Sequence, residues 1–319
     1  MVPPSSINSP EENRTNPAPA LVSDSGPAAA GGSGMRRFCW FAALLLLAYG
    51  WILYAWTRHA LAEGLHSHVV LIPLVSWYLI HLERHRWPAS GPGSLLGALL
   101  LSIPGAALLA FALSHRTGAG ALSHNDFLAA MVGSLLCFLW AGGFLFLGRK
   151  WMGAMAFPAA FLIFMIPLPG AAVSAIEHTL VAATSEVVDF FFLLTGVPYL
   201  RDGNIFQIST ITLQVAQECS GIRSSWVLFI TSLLASYLFL RNPWHRALIV
   251  ALVIPLGILR NGFRILVLAQ LCIHRGPHMI DSDLHHQGGP IFFALSLIPL
   301  FLLLWWLRRL EAGVDGRRV

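Results

Sequence analysis

Charged side chains are scarce in this chain. Only 11% of the 319 residues are Asp, Glu, Lys or Arg, whereas 56% are hydrophobic. Several apolar runs approach the length of about 20 residues that a helix needs to cross the hydrocarbon core of a bilayer. The composition therefore excludes a soluble domain and predicts an all-α polytopic membrane protein.

Cysteine is also rare, and the four cysteines form no CxxC pair. This scatter argues against a disulfide framework and against a structural zinc site. The sequence contains no HExxH motif, so the helical metallopeptidase signature is missing. We expect neither a bound metal nor another cofactor.

The chain divides into two polar tails and one membrane domain. Residues 1–34 contain almost no large apolar side chain, and such a segment buries too little surface to fold. We predict a disordered cytoplasmic tail over 1–34, a membrane domain over 35–310 and a short cytoplasmic tail over 311–319. The first apolar run is long and follows a long tail, which favours an uncleaved anchor over a signal peptide.

Eight apolar segments are predicted to cross the membrane. They are Phe38 to Trp56, Val69 to His81, Ser94 to Leu113, Phe127 to Leu147, Met152 to Pro167, Ile222 to Leu240, Ala247 to Ile273 and Pro290 to Leu307. If the N-terminus is cytoplasmic, thirteen of the twenty Lys and Arg residues lie on the cytoplasmic side. Basic loops are retained there, so both termini are predicted to be cytoplasmic. The basic pI is explained by these topology signals, and no nucleic-acid partner is expected.

The segment Ala171 to Thr195 is apolar but interrupted by Glu and Asp residues. A full span here would invert every later loop and expose the following basic clusters on the outer side. We therefore predict an amphipathic helix at the outer interface. Together with a β-like segment, recognisable from partly alternating β-branched residues over 205–215, it would form a small outer cap of about residues 170–218.

A polar stretch, residues 202–226, carries Cys219 at the point where the β-like segment gives way to a helix. A single cysteine is most often a small buried hydrophobe. Here, however, the helix N-terminus and Arg223 at i+4 both favour a reactive thiolate. Glu218 would oppose this effect if ionised and close, or would instead cap the helix or pair with Arg223.

Arg260, Asn261 and Arg264 interrupt the next apolar span. Arg264 is near enough to the outer boundary to extend its side chain to the headgroups. Arg260 is about one turn deeper, and Asn261 and Arg264 share a helix face, which favours a polar pocket inside the bundle. A guanidinium there would hold a carboxylate or stabilise an oxyanion.

His285 and His286 precede a glycine-rich turn into the last span. In the predicted topology this turn lies at the outer end of the bundle, like Cys219. Either histidine would be placed to act as general base or acid for the thiol. A solvated loop or adventitious metal binding is the alternative interpretation.

Three blocks within residues 202–293 together resemble the exosortase/archaeosortase family. They are GNIFQISTITLQVAQECSGIRSS, the NGFR sequence of the next span, and a histidine ahead of glycine-rich sequence. The likeness in span architecture extends over about residues 36–310. Members of this family are polytopic membrane cysteine transpeptidases.

The resemblance implies roles for particular residues. Cys219 in ECSG matches the catalytic cysteine, Arg264 matches the arginine of the Asn-x-x-Arg pattern, and His285 matches His-x-x-x-Gly-x-x-x-Phe better than its neighbour does. Supporting or substrate-binding roles are expected for Glu218, Arg223, Arg260, Asn261 and His286.

The resemblance further implies the reaction and the partners. The expected substrates are exported proteins that end in a short motif of the PEP-CTERM type, an apolar helix and a basic tail. Cleavage would take place at the outer face of the bacterial inner membrane, in contact with the lipid bilayer. The sequence leaves open whether an amine, another acceptor or water resolves the acyl-enzyme.

Two other classes of protein compete with this interpretation. A membrane metallopeptidase would use the outer histidines and aspartates, but adjacent His285 and His286 make a poor helical ligand pair. A non-enzymatic transporter or assembly protein would place the intramembrane arginines in a midplane site. It would require polar residues to continue to the inner face, whereas the sequence places them in the outer half.

Overall fold

The computed structural model describes residues 28–62, 65, 67–88, 91–118, 120–209, 211–215, 221–281 and 289–315. Helices make up most of these residues, and three short strands follow the eighth helix. The prediction of an all-α polytopic membrane protein is confirmed.

The first half of the chain is organised around its fifth helix. The helices of this half are α1 (Ala28–Ala48), α2 (Gly50–Ala62), α3 (Leu71–Leu82), α4 (Leu95–Ser114), α5 (His124–Phe146), α6 (Arg149–Ala154) and α7 (Ala156–Phe161). The axis bends by 67° between α1 and α2. Helix α5 is the most buried because α1, α2 and α4 all pack against it.

The second half is organised around one unusually long helix. Its elements are α8 (Gly170–Thr195), β1 (Tyr199–Asp202), β2 (Ile205–Ile208), β3 (Thr212–Gln214), α9 (Ile222–Phe239), α10 (Pro243–Arg275) and α11 (Gly289–Asp315). Helix α10 contacts α8, α9 and α11. With 33 residues it is about 50 Å long, so it exceeds the hydrocarbon core of about 30 Å.

The three strands form one antiparallel sheet in the order β1-β2-β3. Phe206 on the central strand is opposite Arg201 on β1 and Leu213 on β3. One face of the sheet packs with Phe192 of α8 and Ala269 of α10 in a single core. The β-like segment predicted from alternating residues is therefore confirmed.

Two acidic residues of α8 tie this helix to the sheet. The Tyr199 hydroxyl donates to Asp189 at 2.7 Å, and the Arg201 guanidinium donates to Glu186. The hydrogen bond to Glu186 is the main cause that raises the pKa of Arg201 above its ordinary value. These contacts give Glu186 and Asp189 a structural role in an otherwise apolar helix.

Helix α8 runs beside only part of α10. At its start, the Gly170 amide donates to Asp126 at the first turn of α5, at 2.7 Å. Further along, Thr184 lies beside Asn261, and Phe192 shares a core with Ala269. The helix thus follows α10 toward its C-terminal end, away from Pro243. It is long and apolar enough to cross a membrane, and its predicted place at the outer interface stays a prediction.

The spans are fewer and less regular than the eight predicted. By length and composition, six described helices qualify as spans, or seven if the bent pair α1 and α2 counts as one. Where Val69 to His81 was expected to cross, α3 has 12 residues and is only about 18 Å long. Where Met152 to Pro167 was expected to cross, the chain forms two six-residue helices and a 3₁₀ turn.

The predicted tail boundaries also differ from the structure. Helix α1 begins at Ala28, inside the predicted tail of 1–34, and α11 continues to Asp315, inside the predicted tail of 311–319. Both apolar helices extend into flanking alanine-containing sequence, and alanine has the highest helix propensity. Residues 1–27 and 316–319 lie outside the described residues.

Candidate active site

The predicted nucleophile and histidines lie outside the described residues. Glu218 and Cys219 belong to segment 216–220, and His285 and His286 belong to segment 282–288. Their predicted roles therefore stay predictions. The described site consists of the residues that follow the first of these segments and the part of α10 against which they pack.

Gly221 begins the described chain after the Cys219 segment and caps α9 in a left-handed conformation, with φ of +68°. A Cβ atom at this position would lie 3.0 Å from Nη2 of Arg260 and 3.2 Å from Oδ1 of Asn261. Glycine meets both demands, because it lacks a Cβ and adopts positive φ without strain. The backbone at the start of α9 is thus packed directly against these two side chains.

Arg260 is a buried arginine with an incomplete set of partners. Its side chain belongs to a residue that is 8% exposed. Its Nη2 lies 3.3 Å from Oγ of Ser225 and 3.5 Å from the carbonyl oxygen of Gly221, at the long end of hydrogen bonding. Its Nη1 is buried and has no hydrogen-bond partner among the described residues. A buried donor without a partner costs free energy, so this position suits a group that accepts a hydrogen bond.

Asn261 lies next to Arg260 and links α10 to α8. It is 3% exposed, and its Nδ2 donates to Oγ1 of the fully buried Thr184 over 3.4 Å. The close approach of the two helices depends on Gly262, where a Cβ atom would lie 2.5 Å from Cγ1 of Val187. The sequence prediction of a polar pocket inside the bundle is consistent with these contacts.

The two other arginines of the prediction are less buried. Arg264 lies one turn further along α10 and is half-buried. Arg223 is exposed on α9, whereas Ile222 beside it is buried. The described structure therefore brings Arg260 and Asn261 together with the Gly221 backbone, and leaves Arg223 at the surface.

Ser225 and Thr184 were not recognised from the sequence. Both are short polar side chains in apolar helices, and each contacts one of the two buried polar residues of α10. The only available signal was the SS pair two residues after GI. Hydroxyls in spans are common, because they can bond to the backbone one turn earlier, so this signal was weak.

The polar residues Arg260, Asn261, Ser225 and Thr184 form a polar cluster. An apolar groove begins beside it. It has a volume of about 390 Å³ and lies between α8, α9 and α10. Ile222 and Ser225 line it on α9, Ala175 and Thr179 on α8, and Ile254 on α10. Ser225 contacts both the groove and Arg260, so the groove and the polar cluster are continuous.

The described residues contain no group of three or more His, Cys, Asp or Glu side chains that could hold a metal ion. The polar groups of the site in this part of the chain are guanidinium, amide and hydroxyl groups. Such groups donate hydrogen bonds to anions and carbonyl oxygens.

Replacing Gly221 with Ala tests the close packing at the start of α9. A left-handed alanine costs about 1–2 kcal/mol in backbone strain, and the new Cβ would also press against Arg260. Gly196→Ala is the matched control, because Gly196 has φ of +67° with no atom within 4 Å of its Cβ position. We expect Gly221→Ala to lower the melting temperature of the purified protein more than Gly196→Ala does. Equal losses would contradict the crowded packing.

The comparisons with known proteins complete this description. The family model described as transmembrane exosortase matches residues 56–302, well over half of the chain. Searches of curated proteins and of solved structures each gave no match. The matched residues include the Gly221 turn, Arg260, Asn261 and the groove. The chain therefore belongs to the transmembrane exosortase family, whose members are membrane protein-sorting transpeptidases.

Proposed function

We propose that this protein is a cysteine transpeptidase or protease that removes the C-terminal sorting signal of exported proteins. Cys219 is the nucleophile, Arg264 stabilises the oxyanion, and His285 transfers the proton. The signal is of the PEP-CTERM type, with a short motif, an apolar helix and a basic tail. The reaction takes place at the outer face of the bacterial inner membrane, with both termini of the enzyme in the cytoplasm.

The single observation that carries this proposal is the packing of Gly221 against buried Arg260 and Asn261. Cys219 is two residues before Gly221, and two residues of extended chain span at most about 7 Å. This short connection supports a position of the thiol near the buried cation. It also precedes an 18-residue helix, whose N-terminal end favours negative charge. Both features favour the nucleophilic thiolate.

The proposed reaction has two stages, formation and resolution of an acyl-enzyme. The Cys219 thiolate attacks the scissile carbonyl carbon, and the carbonyl electron pair moves to the oxygen, where Arg264 donates hydrogen bonds. When this intermediate collapses, the carbon–nitrogen bond breaks and the departing amine takes a proton from His285. The remaining thioester is attacked by an acceptor amine, by another acceptor or by water. An amine or other acceptor makes the protein a transpeptidase, and water makes it a protease.

Arg260 has a supporting role in this scheme. Its Nη2 donates to Ser225 and Gly221, and the buried Nη1 is then placed to donate to a substrate carbonyl or carboxylate. Asn261 links α10 to α8 through Thr184, and we assign Arg223, Glu218 and His286 to substrate binding or support. A guanidinium fixed in this way costs little reorganisation when charge develops nearby.

The apolar groove gives the signal helix a place to dock. Its walls are apolar along two turns of α9, from Ile222 to Phe229, and Ser225 connects it to Arg260. The small side chains of Ala175 and Thr179 allow a helix backbone to approach closely. A substrate helix in this groove would present the polar motif at its end to Cys219.

Replacing Cys219 with Ala tests the nucleophile. An exported reporter ending in the motif, an apolar helix and a basic tail is co-expressed with each variant. We expect the wild type and Cys39→Ala, a control at an exposed cysteine, to shorten the reporter. Cys219→Ala should lose several orders of magnitude in rate, because loss of a nucleophile removes the covalent route. Shortening by Cys219→Ala would refute the mechanism, and mass spectrometry of the new C-terminus would identify the acceptor.

Replacing Arg260 with Gln tests its electrostatic effect on the thiol. Loss of a nearby cation destabilises the thiolate. The pH at which the alkylation rate of Cys219 is half of its maximum should therefore rise by about one unit. Arg260→Lys, which keeps the charge, should shift this pH much less. Arg58→Gln removes an exposed charge from α2 and should leave it unchanged. The rates are measured by peptide mass spectrometry, and an unchanged pH in Arg260→Gln would contradict the proposed role.

Filling the groove tests the docking of the signal helix. Ala175→Trp should lower reporter processing roughly ten-fold, the factor that a binding loss of about 1.4 kcal/mol produces. Ala182→Trp is the control, because Ala182 is exposed two turns further along α8 and does not line the groove. The alkylation rate of Cys219 should be the same in both variants. Equal processing by the two variants would exclude this groove as the docking surface.

A further inference from the structure

A second cavity lies at the C-terminal end of α9 and the start of α10, away from Arg260. It has a volume of about 890 Å³ and is lined by the ends of α3 and α9, the start of α10 and the last turns of α11. Three arginines line it, namely Arg241, Arg246 and Arg308. Two carboxylates, Glu83 and Glu311, and the side chain of His85 also line it, so the arginines outnumber the carboxylates.

Both carboxylates already accept hydrogen bonds from other groups. Glu311 accepts the backbone amides of Arg241 and Asn242 at 2.8 and 3.0 Å, and Nδ1 of His245 at 2.8 Å. Glu83 accepts the hydroxyl of Tyr237. These hydrogen bonds do not cancel the charge of either carboxylate, but they hold Glu311 at the start of α10 and Glu83 at the end of α9.

Arg246 and Arg308 are held by neutral groups instead. Nε and Nη2 of Arg246 donate to the Leu240 carbonyl at 2.8 and 2.6 Å, and its Cζ lies 5.2 Å from the centre of the Tyr237 ring. The Cζ of Arg308 lies 5.9 Å from the centre of the Phe239 ring. Within the described ranges, neither arginine forms an ion pair. The cavity therefore contains two cationic groups whose charge is not neutralised by a carboxylate.

Exposed apolar side chains border these cations. Leu82, Leu238 and Phe239 line the same cavity and are 49%, 40% and 46% exposed. A site with arginines inside and apolar side chains at its edge suits a ligand that has an anionic head and an apolar body. Basic pockets between membrane helices bind lipid phosphates for this reason.

We propose that this cavity binds the phosphate group of an anionic glycerophospholipid. Arg246 and Arg308 contact the phosphate, and the acyl chains lie over Leu238 and Phe239. Arginine is suited to this contact, because its planar guanidinium donates two parallel hydrogen bonds to phosphate oxygens. The bound lipid would join α9, α10 and α11 at the end remote from the polar cluster, independently of the proposed reaction.

Lipid retention by Arg308→Gln and Arg309→Gln tests this site. Arg309 is the matched control, since it is the next residue of α11 but lies over Trp305, with Cζ 3.9 Å from the ring centre, and does not line the cavity. The full-length protein is purified in detergent and equilibrated with phosphatidylglycerol and phosphatidylcholine, and native mass spectrometry counts the bound lipids. The wild type and Arg309→Gln should retain phosphatidylglycerol in preference to phosphatidylcholine. Arg308→Gln should retain about ten-fold less phosphatidylglycerol than the wild type, as expected for loss of one charge-assisted hydrogen bond.

Three further measurements decide the interpretation. The melting temperatures of the two Gln variants without added lipid should agree. If Arg308→Gln unfolds, Arg308→Lys replaces it, and this variant should retain most of the phosphatidylglycerol because it keeps the charge. Equal retention by the Gln variants, or equal retention of the two lipids by the wild type, would overturn the proposal. Inorganic phosphate that stabilises the protein as much as phosphatidylglycerol does would identify a soluble phosphate site and also overturn it.

Discussion

The buried guanidinium of Arg260 is the constraint on which the second half of the structure depends. An unpaired charge inside an apolar bundle costs several kcal/mol by common scales. No described carboxylate forms an ion pair with Arg260. Instead, the start of α9 packs against it through Gly221 and Ser225. The polar contacts reduce the cost but leave one nitrogen without a partner in the described residues, which is the arrangement expected of a site that receives an anionic or carbonyl group.

Helix α10 joins the Arg260 site to the sheet. Its 33 residues exceed the roughly 20 that suffice to cross the hydrocarbon core of a bilayer. In its C-terminal half, Ile265 and Ala269 form a core with Phe192 of α8 and with Phe206 of the sheet. The same helix therefore contacts both the polar cluster and the core beneath the sheet. Gly221 connects them, since it follows the sheet in sequence and begins the next membrane helix.

The sequence predicted the membrane-protein fold class, the sheet and the polar face of α10, because each depends on a local sequence pattern. Charges inside an apolar run and alternating β-branched residues are visible without tertiary information. The break of the predicted span at Met152 to Pro167 had one local signal, Pro158 near the start of α7, but the packing that accompanies it was not visible. There, the carbonyls of Pro158 and Met165 accept hydrogen bonds from Ser76 and Trp56, side chains distant in sequence. Ser225 and Thr184 were missed for the same reason.

The distribution of polar groups also distinguishes the two functional classes that the sequence left open. A transporter needs a polar path through the membrane, usually past a site near the midplane. Here Arg260 lies near the middle of the 33-residue α10, whereas the arginine-lined cavity lies at its start. Between them, a buried aliphatic cluster that includes Leu228, Ile249 and Val253 joins α9, α10 and α11. Among the described residues this layer separates the two polar regions. The described residues therefore form no continuous polar path along α10, which argues against a transporter.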